Sequence, residues 1–244
     1  MGTLGYLHQL AAEEGIELPA DAARSLLRHL DMVLERTRSH NLTAILHTDE
    51  AIRRHVVDSL VAIAHMTLAP NTDVLDLGTG AGYPGMVLAI VRPDLQVTLL
   101  DSTKKKTAFL EECIRELEIE DRTRVLTARA EELATLERNC ISLIIARAVA
   151  PLPSLVELSS PLLRSGGRLF ALKGRVDKEE LEWGDAAADE CGLRRTDLVR
   201  YELLSGGEKR SLVEYVKDGE PNRELPRRTG MAQKRPLGKV VTTD

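Results

Sequence analysis

Aromatic residues are scarce. Two Phe, four Tyr and one Trp stand among 244 residues, so the core must be aliphatic and base stacking has few partners. Cys113, Cys140 and Cys191 are widely spaced, odd in number and without a C-x-x-C pair. That excludes a disulfide framework or thiolate metal site and leaves buried free thiols as the expectation. All six histidines lie between His8 and His65. His29, His40, His47, His55 and His65 show no H-E-x-x-H or other ligand spacing, so no metal site is expected. No apolar run reaches the length of a membrane span, and the first residues lack a signal-like hydrophobic region. The chain is expected to be cytoplasmic, with no membrane partner. An excess of positive charge is missing as well. The net charge of −5 excludes a generic coat for polyanions.

What is present is a 43% hydrophobic content, ample for a folded core, in a length that suits one α/β domain with an appendage. Basic residues are clustered locally. Lys104-Lys105-Lys106 form one patch, and Arg223, Arg227, Arg228, Lys234, Arg235 and Lys239 crowd the last stretch against a single acid, Glu224. Local patches on a mildly acidic chain fit recognition of one nucleic-acid site.

Residues 1–66 read as a helical extension. Leu26, Leu30, Val33 and Leu34 recur at helical spacing opposite Arg24, Arg28, Asp31 and Glu35, and a second stripe follows from Asp49 through Ile52, Val56, Leu60 and Ile63. From Asp73 short aliphatic runs alternate with helical patterns, with strands expected at 73–77, 96–101, 124–127, 142–146 and 168–172. This order predicts an α/β fold with a mostly parallel sheet covered on both faces. Runs at 194–203 and 211–217 read as a terminal antiparallel hairpin, so residues 67–218 form a seven-stranded Rossmann-like domain. Residues 219–244, with Pro221, Pro226 and Pro236, read as an extended basic tail on the surface.

The densest motif is Asp76-Leu77-Gly78-Thr79-Gly80-Ala81-Gly82-Tyr83-Pro84-Gly85. A strand ends in an acid, and glycines then open the backbone to a ligand before a helix that Pro84 is suited to begin. No Lys-Ser/Thr follows, which removes a P-loop. Gly80 to Gly85 literally match G-x-G-x-x-G, but Gly78, not Gly80, closes the strand. The register Asp76-x-Gly78-x-Gly80 instead suits S-adenosylmethionine, with Asp76 placed to hold a cationic amino group. Asp101 ends the next strand, where an acid bonds a ribose diol or caps a helix. Ala130-Glu131 follow the third strand, at the position for an adenine contact, although Glu131 also fits a solvated helix. The fourth strand runs into Arg147-Ala148-Val149-Ala150-Pro151-Leu152. It lacks the Asn/Asp-Pro-Pro-aromatic run of amine methylation and the Cys of cytosine C5 methylation. Arg147 is a clamp for a carboxylate or phosphate, or else a structural ion pair with Asp76 or Glu131.

Asn41-Leu42-Thr43-Ala44, Arg54-His55-x-x-Asp58-Ser59-Leu60, the glycine turn, Arg147 to Leu152, Ala171-Leu172-Lys173-Gly174 and Pro226-Arg227-Arg228-x-Gly230-Met231-x-x-Lys234-Arg235-Pro236-Leu237 occur in that order. Together they resemble the bacterial 16S ribosomal RNA guanine-N7 methyltransferase family, also called glucose-inhibited division protein B. Tyr83 stands where that family usually has Phe or Leu. The resemblance implies S-adenosylmethionine as cofactor, lined by Gly78, Tyr83, Ala130, Glu131 and Arg147. Gly80 and Asp101 join that set from the motif itself. It also implies 16S ribosomal RNA in the small ribosomal subunit as partner, for a chain expected to act as a monomer. Asn41, Arg54, His55, Lys173, Arg227, Lys234 and Arg235 are the candidate RNA contacts, and Tyr83 is the aromatic expected near the acceptor. Guanine N7 carries a lone pair and no proton, so no catalytic base is expected.

Overall fold

The aliphatic runs assemble into a seven-stranded sheet of order β3-β2-β1-β4-β5-β7-β6 in a computed structural model. The structure describes residues 2–40 and 42–238. The parallel strands are β1 (Asp73–Leu77), β2 (Gln96–Asp101), β3 (Thr123–Thr127), β4 (Ile141–Arg147) and β5 (Leu163–Lys173). β6 (Leu193–Glu202) and β7 (Lys209–Lys217) form the hairpin, and β7 inserts antiparallel between β5 and β6. Successive strand residues point to opposite faces. Val74, Leu143 and Ile145 enter one apolar core, while Leu75, Ile144 and Ala146 enter the other.

The first core is covered by α5 (Gly85–Val91), α6 (Lys104–Glu116) and the N-terminal helices. These are α1 (Thr3–Glu13), α2 (Ala20–His40), α3 (Thr48–Ala51) and α4 (Asp58–Ala64). Leu26, Leu30 and Val33 of α2 are fully buried, each contributing about 2 kcal/mol by leaving water. The extension therefore shares the core of the sheet. Between α3 and α4 the chain is π-helical over Ile52–Val57, a wider winding that sequence periodicity does not announce.

The second core lies beneath α7 (Ala130–Leu136), α8 (Leu152–Ser159), α9 (Lys178–Cys191) and the last residues of the chain. The tail departs from the extended surface segment expected of it. Leu225, Ala232 and Leu237 are buried, and α10 (Met231–Lys234) forms a turn of helix. Arg227 donates to both carboxylate oxygens of the buried Glu157, at 2.6 Å from Nε to Oε1. Ser154 Oγ donates to the Ala232 carbonyl at 2.7 Å. Apolar spacing at Leu225, Ala232 and Leu237 outweighs the prolines and positive charge. Cys113 and Cys191 are buried, but Cys140 is exposed, contrary to expectation, because it sits in the turn before β4. No helix among the described residues is long and apolar enough to cross a membrane.

Candidate active site

β1 lies between β2 and β4, and the connections run in opposite directions from it. A crevice forms outside the carboxyl ends of the strands at such a switch point. The glycine turn occupies it. Gly78 has φ +72°, and a Cβ there would meet Val149 Cγ2 at 2.7 Å. A Cβ on Gly85 would lie 2.5 Å from Asp76 Oδ2, so α5 packs against β1 only with glycine at its start. That helix begins at Gly85, with Pro84 just before it as the cap.

Asp76 is fully buried beneath the turn. Its Oδ2 accepts from the Gly85 N–H at 2.8 Å, while Oδ1 has no hydrogen-bond partner. Burial pushes its pKa up to about 6; the neighbouring Thr79 hydroxyl, the Gly85 N–H and the charge of Arg147 offset part of that rise. The acid thus clamps the helix start from below and does not line the open crevice, which corrects its reading as a direct holder of an amino group.

Above the turn, Gly78, Asp101, Ala130, Glu131 and Val149 line a cleft of about 480 Å³. Gly80 reaches it indirectly, donating its N–H to Asp101 Oδ2 at 3.1 Å. Asp101 Oδ1 accepts from the Thr103 N–H at 2.8 Å; the cap of α6 is Thr103 itself, so Asp101 shapes the turn before the helix and is not its cap. Each oxygen retains a lone pair, and the carboxylate can still accept from a diol. A Cβ on Gly80 would meet nothing closer than 3.9 Å, which leaves open space over the turn for a ligand. Glu131 Oε1 accepts from the Gly230 N–H at 2.7 Å, and Gly230 and Gln233 form one wall of the cleft. These features fit an adenosyl group.

A second cleft, of about 910 Å³, lies beyond the end of β4, lined by Arg54, His55, Arg147, Lys173 and Tyr201 among others. Arg147 and Ala148 face this cleft while Val149 faces the first. Three consecutive residues therefore divide two cavities, and Ala148 is held at φ +56° to do so, a costly conformation for a residue with a Cβ.

Arg147 is ion-paired, but with neither of the acids expected. Its Nη1 lies 3.5 Å from Asp58 Oδ2 and 3.3 Å from Ser59 Oγ. Asp58 Oδ1 also takes Arg210 Nε at 2.9 Å. The arginine stands 5.5 Å over the Tyr83 ring, and burial lowers its pKa, with Asp58 opposing the shift. Tyr83 is itself buried, stacked on His55 at 4.8 Å and tilted against His29 at 5.0 Å. It offers no open ring face for base stacking, because the residue is only 5% exposed. Burial also lowers the pKa of His29 and of His55 to about 4, so both are neutral at physiological pH. His29 Nε2 lies 3.0 Å from the Ala81 carbonyl and must donate to it. Helix α2 is thereby tied to the glycine turn.

The candidate RNA contacts separate. Arg54 and His55 share the second cleft, presented by the π-helical turn, with His55 Nε2 at 2.8 Å from Thr43 Oγ1. Lys173 lines it too, while pairing with Glu180 at 2.8 Å. Lys234 and Arg235 are exposed in the tail. Arg227 gives its Nε and Nη2 donors to Glu157 and the Arg235 carbonyl, so these two groups hold the tail in place. Asn41 lies outside the described residues, as does Lys239. Asp58, Arg210 and His29 are the members that sequence reasoning passed over. Asp58 stood in a quoted motif one helical turn beyond Arg54, a usable signal. Arg210 reaches it across 152 positions with no local trace.

The model of a family described as rRNA small subunit methyltransferase G matches residues 22–211. A ribosomal RNA small subunit methyltransferase G from Symbiobacterium thermophilum is 37% identical over 239 residues, covering 96% of this chain and 97% of its own. Among solved structures, the [4+2]-cyclase SpnF superposes with TM-score 0.56 at 14% identity, over 83% of this chain and 97% of that one. A geranyl diphosphate methyltransferase in complex with SAM gives 0.52 at 15% identity, over 74% and 90%. A cyclase and a methyltransferase on one fold mean that architecture alone does not select the reaction.

Proposed function

Because the chain belongs to the family of rRNA small subunit methyltransferase G, we propose that it methylates N7 of a guanine in 16S ribosomal RNA, with S-adenosylmethionine as donor. The carrying observation is the pair of clefts divided by Arg147, Ala148 and Val149. One is shaped for the adenosyl group and the other is open to an acceptor. When bound, the cofactor supplies an electrophilic methyl group on a sulfonium. Asp101 would take the ribose hydroxyls, Ala130 and Glu131 would border the adenine, and Gly78 and Gly80 would leave the backbone open beneath. The buried Asp76 supplies negative potential under a cationic ligand without touching it.

In the second cleft the residues position the base. Guanine N7 offers a lone pair and releases no proton, so no side chain has to accept one. His55 is neutral and held by Thr43, which suits a hydrogen-bonding wall. Arg147, fixed by Asp58 and Ser59, presents positive charge to the acceptor's phosphate or carbonyl oxygen. Catalysis then comes from alignment and from exclusion of water.

The test is incubation with methyl-labelled S-adenosylmethionine and small subunits that lack endogenous N7 methylation. Label on a single guanine, released by chemistry specific for N7-methylguanine, is the expected result. Binding of S-adenosylhomocysteine without any labelled RNA would overturn the reading.

A further inference from the structure

Arg210 and Tyr201 border more than the acceptor cleft. Both residues also line a third cavity, of about 1130 Å³, which runs along the outer hairpin toward the start of α9. Its lining contains five basic side chains, Arg175, Lys178, Arg200, Lys209 and Arg210, against the acids Asp177 and Glu202. Asp177 is already engaged, accepting from the Glu180 N–H at 2.8 Å as the cap of α9.

The basic residues differ in how free they are. Arg210 is held by Asp58, and Lys178 pairs with Glu182 at 3.3 Å. Among the described residues, the exposed side chains of Arg175, Arg200 and Lys209 make no hydrogen bond or ion pair. Three unneutralised cations around one cavity are unusual on a chain of net charge −5, because acids are abundant enough to pair them. Uncompensated positive charge lining a groove is the footprint of a polyanion.

Continuity decides which part of the polyanion lies there. A base seated beside Arg147 stays attached to its own sugar-phosphate chain, which must leave the acceptor cleft through an opening. The hairpin cavity adjoins the acceptor cleft at Arg210 and Tyr201, on the acceptor side of the Arg147–Val149 partition, so a chain that leaves the cleft around that cross-strand pair meets it next. Lys234 and Arg235 belong instead to the segment that walls the donor cleft. We infer that the hairpin cavity is the path of the RNA backbone adjoining the methylated guanine, with Arg175, Arg200 and Lys209 neutralising its phosphates. This rests on the RNA methyltransferase reading given above.

The experiment measures binding of the S-adenosylhomocysteine-loaded protein to small subunits across a series of salt concentrations, so it does not depend on methyl transfer. Arg175→Ala, Arg200→Ala and Lys209→Ala are combined in one variant. Arg228→Ala, Lys234→Ala and Arg235→Ala form a second, and Arg24→Ala with Arg115→Ala a surface control. Each is first checked for an unchanged melting midpoint and S-adenosylhomocysteine affinity. Loss of three phosphate contacts predicts at least about tenfold weaker binding near physiological salt, and a salt slope shallower by about 2 for single-stranded RNA. The control should match the unmodified protein. A hairpin variant with unchanged affinity and salt slope would overturn the inference, most directly if the tail variant were the one that weakened. Tight binding by the unmodified protein without methyl transfer would count against the proposed activity, while a weakened, shallower hairpin variant would still support the path.

Discussion

Asp76 is a carboxyl group buried without full compensation, and its titration reports that. Its pKa is about 6 in the folded chain, against an ordinary value of 3.8. Below about pH 4 it is protonated whether the chain is folded or not. Between those values the unfolded chain releases the proton first, so stability falls as pH rises, by about 3 kcal/mol by the time the folded acid is ionised. Asp76→Asn keeps an oxygen for the Gly85 N–H and removes the buried charge. Thermal melts should then lose their downward slope between pH 4 and 6, and the midpoint at pH 7.5 should hold or rise. The same change removes negative potential beneath a cationic ligand, so calorimetry should find S-adenosylmethionine bound about tenfold more weakly. A stabilised variant with undiminished affinity would show that the charge has no part in cofactor binding. For the native acid, a cation above the turn draws the pKa down, so binding near pH 6 releases part of a proton and weakens as pH falls.

Among elements, the short C-terminal helix and the turns around it depart most from their sequence pattern. Their anchor is Arg227 on Glu157, a carboxylate only 3% exposed. Arg227→Ala strands that charge, and a broken buried pair costs about 3 kcal/mol or more. The melting midpoint should drop by about 6–10 °C. S-adenosylhomocysteine affinity should fall with it, because Gly230 and Gln233 hang from the same segment. Arg227→Met with Glu157→Leu should recover most of the stability, since no charge is left alone. An Arg227→Ala variant of unchanged midpoint would deny the anchor its role. The strands were legible because aliphatic runs between glycine and polar breaks have few other uses; β1 and β2 were found to the residue. The docked tail was obscured because three apolar residues spread over thirteen positions make no periodic stripe. The π-helical turn was hidden because a one-residue change in winding leaves local composition untouched.

At the scale of the whole molecule, two clefts meet at the β4 end, each completed by one end of the sequence. The N-terminal region supplies Arg54, His55 and the His29 tie to one side, and the tail supplies a wall of the other. Half of this was readable. Gly78, Asp101, Ala130 and Glu131 meet in one cleft because strand ends are topologically fixed once the order of elements is known. Arg147 and Tyr83 were grouped with them, yet their side chains turn to the other side, where Asp58 and two histidines hold them. No sequence spacing encodes which way a residue at a strand's end will turn. A chain ended after Gly219 retains all seven strands but loses the burial of Leu225, Ala232 and Leu237, about 4–6 kcal/mol in all. Calorimetry should show S-adenosylhomocysteine binding lost along with RNA methylation; full cofactor affinity in the shortened protein would contradict the wall. The contact between Gly230 and Glu131 also has a temporal side. The residues that wall the first cleft are translated after the entire sheet. On the proposed reading, a nascent chain completes that wall only when synthesis reaches this segment, and a prematurely terminated product should fail to bind the cofactor.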